Sequence, residues 1–146
     1  MATIDSREDI EDIKQLKITY CSLLDARRVD DLVELFTDDA TCEFEAVFGS
    51  EEEGRWEGKE AIRRSYQTKW GDTGAPWTSI HAVTNSVVQV DGDTATGRHY
   101  LLDYLMVVPD RTPLTLLGIY DEEYRREDGS WRISRCRIEV LYQRAG

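Results

Sequence analysis

Apolar residues in the first third of the chain recur every three or four positions. Ile10, Ile13, Leu16, Tyr20, Leu23 and Leu24 form one stripe of a helix. Ile18 and Cys21 widen that stripe past half the circumference, which predicts a helix covered on most sides. Asp5 with Glu8, or Ser6 with Asp9, offers a capping box at its start. Asp30 or Asp31 can cap a short second helix through Leu32, Val33, Leu35 and Phe36. A third helix follows Gly58, with Ala61, Ile62, Tyr66 and Trp70 as its apolar stripe. The second half changes period. Alternation and β-branched content predict strands over 78–90, 94–108, 114–126 and 131–143, joined at Asp91-Gly92-Asp93, at Pro109 to Pro113 and at Asp128-Gly129. A further strand, 40–48, falls between the second and third helices. Helices first and a meander afterwards predict an α+β domain: a curved antiparallel sheet packed on N-terminal helices. Such a sheet, wrapped over a long helix, leaves a cone-shaped cavity suited to a ligand.

The length of 146 residues argues for a single domain, 1–146. Asp and Glu outnumber Lys and Arg by 29 to 18, a net charge of −11 that opposes nucleic acid and anionic membranes as partners. No apolar run approaches the roughly 20 residues of a membrane span, and the acidic start, 1–12, does not read as a secretory signal. The expected location is cytoplasmic. The three cysteines, Cys21, Cys42 and Cys136, form no CxxC pair, which disfavours a zinc site or a disulfide framework. Gly49 to Gly54 reads as an exposed acidic loop.

Two histidines are present, His81 and His99, both in predicted strands. Alternation puts His99, Leu101, Asp103, Leu105 and Val107 on one face and Tyr100, Leu102, Tyr104 and Met106 on the other. His99 and Asp103 can pair or both line a pocket. His81, between Ile80 and Ala82, is either a core histidine or a general base working near neutral pH. Asp25 ends the first helix, where a carboxylate opposes the helix dipole. It requires a surface partner such as Arg28 or a role elsewhere. Tyr20 lies in the apolar stripe, and its hydroxyl needs a partner if buried.

Tyr20-Cys-Ser-Leu-Leu-Asp25, the stretch Val29 to Thr41, Trp56-Glu-Gly-Lys-Glu-Ala-Ile-Arg63 and Asp128-Gly-Ser-Trp-Arg-Ile133 together resemble the SnoaL-like, nuclear transport factor 2-like superfamily over nearly the whole chain. The resemblance implies a cone-shaped α+β barrel. Within the superfamily the chain is similar to the scytalone dehydratase, bile-acid 7α-dehydratase and hexachlorocyclohexane dehydrochlorinase branch. These enzymes place an Asp at the end of the first helix and a His on the first meander strand, positions that Asp25 and His81 match. Tyr20, five residues before Asp25, matches the bile-acid dehydratase tyrosine. Gly97-Arg-His99 is similar to the Gly-x-His segment of scytalone dehydratase. Phe44 stands where scytalone dehydratase has a further tyrosine.

The resemblance implies a cofactor-independent dehydratase-type lyase acting on a hydrophobic cyclic or aromatic molecule, polyketide- or steroid-like. The alternatives are a double-bond isomerase using the same dyad, or a non-catalytic binding or dimerisation module. The expected roles are base for His81, orienter for Asp25, donor to the carbonyl for Tyr20, and leaving-group assistance for His99 and Asp103. Phe44, Trp77, Leu101 and Leu105, with Leu24 and Trp70, are expected along the pocket wall, and Arg137 is expected to orient an acidic substituent. No metal or cofactor is expected. Apolar residues on both faces of the meander strands predict a homo-oligomer, dimer or trimer, formed through the face away from the cavity.

Overall fold

The computed structural model describes residues 4–71, 77–107 and 113–145. The chain opens with the long helix α1 (Ile4–Asp25), followed by the single-turn helix α2 (Val29–Val33). Strand β1 (Phe36–Glu43) leads into two short helical turns, α3 (Glu45–Phe48) and α4 (Glu51–Gly54), and the three-residue strand β2 (Arg55–Glu57). Helix α5 (Lys59–Trp70) precedes four long strands: β3 (Trp77–Asp91), β4 (Thr94–Val107), β5 (Pro113–Glu127) and β6 (Ser130–Ala145).

The six strands form one curved sheet in the order β2-β1-β6-β5-β4-β3. Its concave face packs on α1. This is the expected α+β architecture, with two differences. The sheet is mixed, because β1 runs parallel to β6 while every other pair is antiparallel, and it is not closed, because the edge strands β2 and β3 do not pair. And the strand expected over 40–48 runs instead from Phe36 to Glu43. At Phe44 the chain turns into α3, and the acidic stretch after Gly49 is the helical turn α4, capped by Ser50. The turn expected around Pro109 falls largely outside the described residues. The other two hairpins form as read. Gly92 (φ 61°) supplies the left-handed backbone of the first, and Asp128 (φ 51°) with Gly129 (φ 79°) that of the second.

Helix α1 is not covered on most sides: Ile18 is 49% exposed. The residue at the centre of its buried stripe, among Ile13, Tyr20, Cys21 and Leu24, is Lys17, which is fully buried. The sheet explains this, because Glu122 on β5 projects inward and accepts a hydrogen bond from the Lys17 ammonium. Near the start of the same helix, Asp9 accepts hydrogen bonds from Arg126 and from Trp131 Nε1, tying it to the β5–β6 hairpin. Among the described residues no helix is long and apolar enough to cross a membrane.

Candidate active site

Asp25, at the last position of α1, turns into the open end of the cone. Its Oδ1 accepts from His81 Nδ1 at 2.7 Å and from Ser79 Oγ at 3.0 Å, and its Oδ2 accepts from the His81 backbone N–H at 2.9 Å. Donors from β3 thus take up the charge that the helix end disfavours, and Arg28 pairs with Asp31 instead. The Nδ1 contact leaves Nε2 of His81 to face the interior. Asp103 occupies the position directly across the β3–β4 ladder, and its Oδ2 lies 3.4 Å from that nitrogen. Burial works against an imidazolium here. The carboxylates of Asp103 and Asp25 outweigh it and raise the ring to about 9.

His81 and Asp103 open onto a narrow recess. Tyr20 and Leu24 of α1, Phe44, Val47 and Phe48 around α3, and Tyr66 and Trp70 of α5 form one side. Leu101, Leu116, Tyr120 and Ile138 of the sheet form the other. The recess encloses about 340 Å³ of atom-free space, open solvent included, of which only about 30 Å³ admits the centre of a water molecule. A larger groove of about 550 Å³, between Gln89 and Arg125, lies away from the dyad and carries none of these groups. Tyr20 and Tyr66 share a hydrogen bond between their hydroxyls, and burial pushes both phenols well above their usual range, so they stay protonated. Two hydroxyls bonded to each other keep one hydrogen free to donate.

The other expected site residues are placed as follows. Phe44, Leu101 and Asp103 line the recess with Tyr20 and His81. The side chain of Trp77 lies outside the described residues. Leu105 is half-buried and is not among the lining residues. Arg137 is on the outer face of β6, 3.8 Å from Asp121. His99 is fully buried below the recess, with both ring nitrogens engaged. Ser86 Oγ lies 2.7 Å from its Nδ1 and Tyr124 Oη 2.9 Å from its Nε2. Tyr124 in turn donates to Glu122, which also accepts from Lys17 and Cys136. One orientation satisfies every group: Ser86 donates to Nδ1, and Nε2–H donates to Tyr124. Burial lowers His99 to about 4, in keeping with that neutral ring.

The lining residues that sequence reasoning missed are Val47, Phe48, Tyr66, Leu116, Tyr120 and Ile138. Tyr66 stood on the predicted stripe of the third helix, and Tyr120 belongs to an inward series of alternate positions with Glu122 and Tyr124. The α3 turn that carries Val47 and Phe48 left no comparable periodic trace. Among the described residues no group of three or more His, Cys, Asp or Glu side chains is arranged to hold a metal ion.

Known proteins share this architecture. A scytalone dehydratase-like protein of Novosphingobium aromaticivorans superposes with a TM-score of 0.81 at 19% identity, over 94% of this chain and 87% of its own. The hexachlorocyclohexane dehydrochlorinase LinA-type3 of Novosphingobium barchaimii superposes with a TM-score of 0.79 at 22% identity, over 98% and 93%. At these identities the likeness shows the nuclear transport factor 2-like fold. In sequence, an uncharacterized protein of Mycobacterium tuberculosis strain H37Rv is 32% identical over 141 residues, 96% of this chain and 90% of its own length. The SnoaL-like domain model matches residues 5–137. The chain therefore belongs to the SnoaL-like domain family.

Proposed function

We propose that this chain, as one SnoaL-like domain over 1–146, is a cofactor-independent lyase. It would remove a proton next to a carbonyl and expel a hydroxyl from a small hydrophobic cyclic or aromatic molecule. The observation that carries the proposal is the Asp25–His81 hydrogen bond at the wall of an aromatic recess. Asp25 holds the proton on Nδ1, so in its neutral form, which the two carboxylates keep minor below about pH 9, His81 presents the Nε2 lone pair to the ligand, and turnover should rise as pH climbs toward 9. Nε2 takes the α-proton, and the C–H electron pair passes into the enolate, which the free hydrogen of the Tyr20–Tyr66 pair steadies at oxygen. The enolate then forms the double bond as the C–O bond breaks. The imidazolium returns its proton to the departing oxygen, and water leaves. Solved relatives of the same fold include proteins described as a dehydratase and a dehydrochlorinase, which supports elimination chemistry.

Turnover of 3-hydroxycyclohexanone and larger cyclic β-hydroxyketones, followed by the absorbance of the enone product, tests this. His81→Ala should cost on the order of 10²-fold or more, and Asp25→Asn should slow the reaction severely while the fold persists. Parent activity in both variants, or a protein that turns over none of the ketones, would sink the proposal. Movement of a double bond without loss of water would select the isomerase alternative. One feature favours a purely binding role: both ring nitrogens of His81 face carboxylates, so the ring is satisfied without a substrate.

The same proposal includes a cytoplasmic homo-oligomer, dimer or trimer. The assembly of copies is supported by exposed Ile80, Tyr104 and Tyr142 on the outer face of the sheet.

A further inference from the structure

Asp103 is incompletely satisfied in the recess. Its side chain is 14% exposed and its Oδ2 faces His81 Nε2. Its Oδ1 is buried and has no hydrogen-bond partner among the described residues. A carboxylate oxygen buried in this way is expensive unless a donor reaches it. Among the described residues none of its neighbours donates to it. Cys21, from α1, is kept a neutral thiol by burial, at about 11, and its weak S–H makes no hydrogen bond to Asp103 Oδ1. Leu116, the ladder partner of Asp103 on β5, is apolar. His81 already offers Nδ1 to Asp25.

We propose that Asp103 is a ligand-facing selectivity residue: Oδ2 orients the His81 ring through Nε2, and Oδ1 accepts a hydrogen bond from a hydroxyl of the ligand. Hydroxylated rings are thereby selected over halogenated ones of the same shape. The inference rests on the recess being the ligand site of the lyase proposed above. A hydroxyl that donates to Oδ1 turns its lone pairs toward Nε2–H, the geometry needed for it to leave as water. A chlorine substituent has no hydrogen to donate and sets its electron-rich surface against the carboxylate. A departing chloride would meet like charge.

Phenol and chlorobenzene are matched probes for this contact, because binding requires no turnover. In the parent protein phenol should bind roughly tenfold or more tightly than chlorobenzene, as expected of a hydrogen bond to a charged acceptor. Asp103→Leu should bring the two affinities together, whereas Asp103→Asn, which keeps an acceptor oxygen without the charge, should retain part of the preference. In both variants the His81 ring, followed by nitrogen NMR, should titrate at lower pH than in the parent. A role confined to stability would still lower the His81 titration through the lost charge, but would leave the preference for phenol unchanged in the Asn variant. Equal or inverted affinities in the parent, no saturable phenol binding, or a preference that survives Asp103→Leu would overturn the proposal. The two proposals fail separately. Phenol selectivity that depends on Asp103, without turnover of any β-hydroxyketone, would remove the lyase and keep the selectivity residue. Turnover with no change of probe preference in Asp103→Leu would do the reverse.

Discussion

Two histidines with opposite electrostatics sit in one sheet, 18 residues apart in sequence. His81 is raised to about 9 from 6.5, so the folded protein holds a proton that the unfolded chain releases. Its contribution to stability is complete below pH 6.5 and is lost as pH rises through 9, on the order of 3 kcal/mol. His99 is lowered to about 4 from 6.5, so it destabilises the fold as pH falls below 6.5, when the unfolded chain takes up a proton that the buried ring refuses. Thermal unfolding should therefore show its highest midpoint near pH 6.5, and His81→Asn should flatten the alkaline side while leaving the acid side intact. A midpoint that climbs steadily from pH 6.5 to 9 in the parent would contradict the double carboxylate hold on His81. In the sequence, Asp25 was legible because a carboxylate at a helix end needs a partner. His99 was not legible as a structural residue. Alternation placed it on the inner face correctly but did not give its depth along the cone.

At the scale of elements, α1 and β5 are joined by charge. Lys17 sits over the faces of Tyr20 and Tyr120, 3.7 Å and 3.3 Å from their ring centroids, and donates to Glu122. Burial opposes both charges, and each partner outweighs that cost for the other. Lys17→Met would leave Glu122 buried and uncompensated, a loss of about 3–5 kcal/mol. Adding Glu122→Gln should recover much of it, as read by urea denaturation. Full additivity of the two losses would show that the residues do not act as a pair. The helical period predicted α1 well, yet it could not reveal Lys17 as a core residue, since its partner lies 105 positions away. The bulge in β3 escaped in the same way. Asn85, with φ 53°, adds a residue between Thr84 and Val87, so the inward positions switch from His81 and Val83 to Ser86 and Val88. Without that switch Ser86 could not reach His99. Gly97 completes the arrangement, because a Cβ there would lie 2.9 Å from the Tyr124 ring.

For the whole molecule, local patterns were sufficient for the order of helices and meander strands, because each β-hairpin pairs neighbours. The parallel β1–β6 pairing joins strands far apart in the chain, and no local period encodes it. The outer sheet face shows the same combination of local and long-range effects. Ile80 pairs with Tyr104 across β3–β4, and both are exposed, at 55% and 43%. Tyr142, 49% exposed, extends the patch on β6. Sedimentation at micromolar concentration should find a dimer or trimer. Ile80→Lys with Tyr104→Lys should shift it to monomer without lowering secondary structure. A parent protein that sediments only as a monomer would show that the patch is not an interface between copies.

The tight recess has a kinetic consequence. Only about 30 Å³ of it admits the centre of a water molecule, room for about two waters. Between the described walls this space is too small for a ring system, so Phe48, Trp70 or their neighbours would have to swing aside for one to enter. Opening must precede capture, so the observed association rate should level off at high ligand concentration, at the frequency with which the aromatic walls part. Affinity then depends as much on how often the door stands open as on what lies behind it. Substitutions that trim the walls would quicken arrival and departure together.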